Sequence, residues 1–270
     1  MSEIAVTGPT LRREVDFRGG GFLEVPRPLY SWIAFAGILV VWQAAVSWGW
    51  IDPVFLPSPA AIGEALWNLT LSGDLWNNLS ISLVRIGSGW VVGSVLGVML
   101  GVIMGLSSAG RAIGMPLVSA VYPVPKIALL PLLILWLGIG EAPKVVVIAS
   151  GAVFPTVIAT LASIDSVPRN LIRMAQSFNL PMRAIVWKIM LPSALPGVLA
   201  GFRISVSIAL ILVVSAEMIG AQFGIGAFLL TAGNLMQSDD LMAGVVILAI
   251  LGLVIGAILT ALERSFLRWR

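Results

Sequence analysis

RNLIRMAQSFNLPMRAIVWKIMLPSALP, residues Arg169 to Pro196, is a polar interruption between two long apolar runs, and the fold turns on what it is. Its spacing predicts a first helix from Arg169 to Phe178, closed at Asn179, because Asn follows Gly in tolerance of the left-handed conformation that ends a helix. Pro181 then stands where a first-turn proline is welcome, and Ile185, Val186 and Ile189 give a second helix an apolar side as far as Leu191 and Pro192. Two short helices joined by a turn form either a docking surface held against a membrane face or an amphipathic loop resting on lipid.

The surrounding composition sets the class. Of 270 residues 59% are apolar and 11% charged, and several runs of about 20 residues are each long enough to cross a ~30 Å hydrocarbon core as helices. The chain is expected to be an all-α polytopic membrane protein with six spans, near 29–48, 82–106, 115–138, 144–164, 197–220 and 241–262. Residues 1–28 form a polar leading segment and 263–270 a polar tail. The first run is too long for a signal-peptide core and is followed by IDPVFLPSP rather than a small-residue cleavage site, so no cleavable signal is expected.

The absence of Cys and His removes thiolate nucleophiles, imidazole bases, disulfides and the common zinc and haem ligand sets, so neither catalytic nor metal residues are expected. The net charge of +3 reads as topology marking rather than as a nucleic-acid footprint. Arg12, Arg13, Arg18 and Arg27 precede the first span, Arg169, Arg173, Arg183 and Lys188 lie in the interruption, and three arginines end the chain. The connections 49–84 and 220–240 have no Lys or Arg, and the second carries Asp239 and Asp240. The positive-inside rule therefore places both termini and the interruption in the cytoplasm.

Three features within this frame point to machinery. The second span has Gly89, Gly93, Gly97, Gly101 and Gly105 on one ridge, which suits a backbone-to-backbone packing seam, or else a sliding surface. The third contains Pro116, Pro123, Pro125 and Pro131, and broken backbone at membrane depth is tolerated where protein or a water-filled cavity covers it. Two roles are open to Lys126, just after the break: a functional ammonium in a translocation path or gate with Tyr122, Ser215 and Glu217, or a structural cation that snorkels or pairs with Glu217. Arg203 is expected to snorkel. In the first connection, Pro57 and Pro59 force an extended piece, after which Ile62, Leu66 and Leu69 with Trp67 and Trp76 suggest an interfacial helix; the alternative is a passive connector.

The interruption resembles the EAA loop of ABC-importer permeases: Glu-Ala-Ala, three residues, Gly, nine residues, Ile, one residue, Leu-Pro. That spacing falls on Arg173, Met174 and Ala175, then Asn179, then Ile189, Leu191 and Pro192, with Arg173, Met174 and Asn179 departing from the pattern. FLPSP, NLSISLVRIGSGW, YPVPKIALLPLLILWLGIGEAPK and LPSALP are similar to the sulfonate, taurine and nitrate branch of that family, and the tail LERSFLRW to its alkanesulfonate members.

The resemblance implies a type I importer permease fold in a bacterial inner membrane, with a coupling segment over 169–196. It also implies a homodimer, two partner ATPase subunits that bind ATP and Mg, and a periplasmic or lipid-anchored substrate-binding protein. No cofactor is expected on this chain, which is itself no enzyme and carries no GxxxxGK[ST] phosphate loop. The competing class is an ion-coupled secondary transporter, which needs an inverted repeat and an ion site that the sequence does not display.

Overall fold

The computed structural model describes residues 16–17, 20–21 and 28–267. Arg12, Arg13, Arg18, Arg27 and the last three residues, with the topology assigned to them, lie outside the described residues. Apart from a two-residue antiparallel bridge, Asp16–Phe17 with Gly20–Gly21, the described chain is helical. In order come α1 (Pro28–Ser47), α2 (Pro59–Ser72), α3 (Asp74–Leu106), α4 (Ser108–Val121), α5 (Leu130–Leu137), α6 (Ala142–Asp165), α7 (Arg169–Ser177), α8 (Met182–Ile185), α9 (Leu191–Gly220), α10 (Ile225–Asn234) and α11 (Ser238–Phe266).

Among the described residues five helical stretches are long and apolar enough to cross a membrane unbroken, and a bent pair, taken as one span, brings the number to six. The bounds differ from the expected ones. Gly73, in the left-handed region at φ 84°, ends α2 and opens α3 directly, so the second span starts at Asp74 rather than near Ser82. Its 33 residues reach about 50 Å, longer than a ~30 Å core needs. The third span is α4 followed by a 3₁₀ turn, Lys126–Leu129, and α5, with an 87° bend between the pieces. Pro123 and Pro125 cannot donate to the preceding turn, so the helix breaks there.

The glycine ridge is a packing seam, and its partner is α6. A Cβ on Gly97 would stand 2.6 Å from Thr156 Cβ, one on Gly101 2.6 Å from Thr160 Cβ, and one on Gly89 2.6 Å from Ile148 Cγ2. Ile148, Ala152, Thr156, Thr160 and Ile164 therefore form the facing row, again at every fourth position. On its other side α6 meets α9, where Gly201 abuts Ala159 and Gly197 abuts Ser163. With α3 and α9 flanking it, α6 is the central helix, and Val147, Ile148, Ala209, Val213 and Ala216 are buried in one cluster around it.

The first connection is not a passive link. Ser58 caps α2 by accepting from Ala61 N–H at 3.2 Å, Pro59 takes the first turn, and Ile62 and Ala65 are buried against Ala243 of α11. Trp67 and Trp76 stay exposed.

Candidate functional site

At the end of the bundle where α3 and α6 finish, residues 169–192 fold against the helix ends. Helix α7 stops at Ser177, one residue short of the expected bound, and Asn179 takes φ 55°. Leu180 N–H then returns to Ala175 C=O at 3.1 Å. Ala175 is 2% exposed and clusters with Ile164, Val167, Ile185, Met190 and Ala194, flanked by Val102, Leu106 and Ile189. The seven motif residues thus separate by role. Ala175 is buried and Ile189 and Leu191 are half-buried, which fixes the segment to the spans, whereas Arg173, Met174, Asn179 and Pro192 are exposed. Phe178, Met182, Arg183, Trp187 and Lys188 share the exposure.

The second helix of this segment departs from expectation. It does not end at Leu191 but runs on through a π turn, Val186–Met190, into α9, giving one helical rod Met182–Gly220. Leu191 N–H reaches back five residues to Val186 C=O. The wider turn absorbs Pro192, which has no N–H to continue an ordinary ladder.

The opposite end of the molecule carries a charge network built on Arg85. Its guanidinium meets Glu141 twice, Nε to Oε2 at 2.5 Å and Nη2 to Oε1 at 2.7 Å, while Nη1 donates to Glu217 Oε1 at 2.8 Å and to Phe223 C=O at 2.7 Å. Glu217, fully buried, also accepts from Ser82 Oγ at 2.8 Å and from Gly226 N–H at 2.9 Å. Ser82 in turn accepts from Ile225 N–H at 2.9 Å, and Asn78 from Gly224 N–H at 2.8 Å. Gly224 has to be a glycine, since at φ +122° any Cβ would sit 2.4 Å from the Glu217 carboxyl. One arginine thus ties α3, α9, the α5–α6 connection and the α9–α10 loop together. It also holds the Glu141 carboxyl down at about pH 2, with burial opposing and Lys144 assisting.

Of the readings open to Lys126, the pairing with Glu217 is not the one the structure shows. Lys126 Nζ instead donates to the carbonyls of Val121, Tyr122 and Val124 at 2.7, 3.2 and 2.8 Å and lies 4.7 Å from the centre of the Phe154 ring. Helix α4 ends before prolines 123 and 125, and the ammonium caps the carbonyls exposed at that end. Tyr122 is exposed beside Phe154. Ser215 donates back to Ile211 C=O at 3.0 Å, so Tyr122 and Lys126 come together, whereas Glu217 belongs to the Arg85 network. Arg203 does not merely snorkel; it pairs with Glu263 of α11 at 2.8 Å.

Arg85, Ser82, Glu141 and Lys144 were not expected from sequence. Arg85 carried the signal, a lone arginine inside an apolar run, the same default that singled out Lys126.

Three comparisons bear on this geometry. Residues 93–269 match the family model described as binding-protein-dependent transport system inner membrane component. The chain is 38% identical to the putative aliphatic sulfonates transport permease protein SsuC of Escherichia coli (strain K12), across 88% of this chain and 90% of that one. It is 35% identical to the taurine transport system permease protein TauC of the same organism, across 87% of each. Among solved structures, an inward-facing MetNI methionine ABC transporter superposes with TM-score 0.57 at 24% identity, covering 73% of this chain and 95% of that one. An amino acid ABC transporter gives the same TM-score at 17% identity, covering 76% and 98%. These two likenesses are of fold alone.

Proposed function

The chain belongs to the family of binding-protein-dependent transport system inner membrane components, and from that premise we propose that it is the permease subunit of an ATP-driven importer for small anions of the sulfonate class. The relatives named for sulfonates and taurine, matched over nearly their whole length, supply the solute class. They favour a binding-protein-dependent importer over an ion-coupled carrier.

The observation that carries the coupling role is the two-sided build of residues 169–192. One side is locked onto the ends of α3 and α6 by Ala175, Ile185 and Met190. The other offers Met174, Phe178, Met182 and Trp187 among Arg173, Arg183 and Lys188, an apolar and basic face suited to a protein groove. Two ATPase subunits holding ATP and Mg dock there from the cytoplasm, one on each copy of a permease homodimer, and a periplasmic or lipid-anchored binding protein delivers the solute to the far face. Both termini lie on the ATPase side of the inner membrane. Closure of the ATPase pair pulls the docked segments together and swings the spans between two states of different contact energy.

Purification from its native membrane tests this. The chain should bring down an ATPase subunit with vanadate-sensitive hydrolysis, and sulfonate uptake by cells should depend on that subunit. Solute movement by the chain alone on an ion gradient would overturn the assignment.

A further inference from the structure

Among the charged groups of the Arg85 network, Lys144 has the least complete hydrogen bonding: Arg85 fills four of its five donors, Lys144 one of three. Its residue is only 6% exposed, yet Nζ has one partner among the described residues, Glu141 Oε1 at 3.1 Å, and an ammonium carries three donors. That same oxygen already accepts from Arg85 Nη2 at 2.7 Å. A buried donor left without a partner is costly.

Lys144 lines a cavity of about 230 Å3, roughly eight water volumes. Leu130 and Ile134 of α5, Ile139, Pro143, Ile219 and Gly220 supply the rest of its wall, with Gly140, so apart from the ammonium no other side chain there is polar. Ile139, almost fully exposed and next to Gly138 at φ +80°, stands at the rim. Gly220 keeps the cavity open, since a Cβ there would meet only Ile134 Cδ1, at 3.5 Å.

The amino end of α6 and the carboxyl end of α9 both border the space, so their dipoles oppose. Arg85, Lys144, Glu141 and Glu217 sum to zero charge, so an anion is drawn by the unfilled donors rather than by net charge. That sets a weak site, which a transport route needs if the solute is to leave again.

We propose that this cavity binds a small organic anion through Lys144, with an alkyl tail against Leu130, Ile134 and Ile219; alkanesulfonates have this chemistry. The kind of anion rests on the function proposed above, and the site itself rests on the geometry. An anionic lipid offers the same chemistry from a second source.

The test is calorimetric titration of butane-1-sulfonate into the full chain in phosphatidylcholine nanodiscs, with butan-1-ol and butylammonium as comparison probes. Saturable binding of the sulfonate alone is expected. Lys144→Met should weaken it about tenfold or more, Gly220→Val should do so by filling the cavity, and Lys144→Arg should keep it. No saturation, or equal binding by Lys144→Met and Gly220→Val, overturns the proposal. So does loss of wild-type binding when phosphatidylglycerol replaces phosphatidylcholine, which would assign the site to a lipid headgroup. The titration needs no ATPase: failure here with ATP-driven uptake intact removes this site only, and failure of ATPase capture leaves the site standing.

Discussion

Arg85 and Glu141 lie 56 positions apart in sequence, and the carboxylate receives two of the guanidinium's donors at 2.5 and 2.7 Å. The guanidinium is buried while the carboxylate side chain is 59% exposed, so water reaches one partner and not the other. Substituting Glu141 therefore strands less charge than substituting Glu217, whose carboxyl is fully buried. Glu217→Ala should lower stability by about 3–5 kcal/mol, as breaking a buried pair does, and Glu141→Ala by clearly less. Thermal unfolding in detergent measures both, and equal losses would mean that the burial difference does not govern the network.

The Glu141 carboxyl has a pKa depressed from 4.5 to about 2. A group depressed on folding contributes stability above its unfolded value, and the contribution is lost as pH falls through the folded one. The melting temperature should hold from pH 7 to 5 on this account and fall between about 4.5 and 2. The fall should be shallower in Glu141→Gln; an identical acid profile would remove this group as its cause.

Along the α3–α6 seam, Gly97→Leu forces side-chain atoms into Thr156, where even a Cβ would lie at 2.6 Å. A cost of about 1–3 kcal/mol or more is expected from overpacking. Gly87, with nothing within 4 Å of its would-be Cβ, should accept Leu with little effect. Comparable losses at the two positions would argue against the seam.

In the segment 169–192, Asn179→Gly should be neutral and Asn179→Val should cost about 1–3 kcal/mol locally, since a β-branched residue resists φ 55°. Trp187→Ala and Phe178→Ala remove exposed apolar area and should weaken ATPase-subunit capture while leaving the melting temperature unchanged. If capture survives both truncations, the partner does not use this face.

Lys126→Met takes the ammonium away from three carbonyls at the α4 break, of which that of Val121 keeps the Val124 N–H at 3.2 Å. A melting temperature several degrees lower is expected, with Lys126→Arg recovering part of it. Unchanged stability in Lys126→Met would mean that the break does not depend on the ammonium.

Much of this was legible in sequence where a single physical rule governs a residue. The fourfold glycine spacing dictates a ridge, Pro123 and Pro125 dictate a break, and Asn179 signals a left-handed stop. Partners were not legible, because a ridge does not say which helix it meets. Nothing in the periodicity of α6 identifies Thr156 and Thr160 as its counterface. Nor does Lys126 announce that its acceptors are the backbone carbonyls of the preceding turn rather than Glu217. Pro192 read as a helix stop, yet a π turn carries the helix past it. Arg85 lay within an apolar run, and its meaning depended on Glu141, a loop residue placed beside it only by the tertiary fold.

The unbroken rod Met182–Gly220 puts Trp187 near one end and Glu217 near the other. At ~1.5 Å per residue these two stand roughly 45 Å apart. A tilt of about 10° imposed at the Trp187 end would sweep the far end through ~8 Å, more than twice the length of any bond Arg85 makes to hold it. Leverage alone, with no relay of rearranging side chains between, suffices to make motion at one membrane face felt at the other.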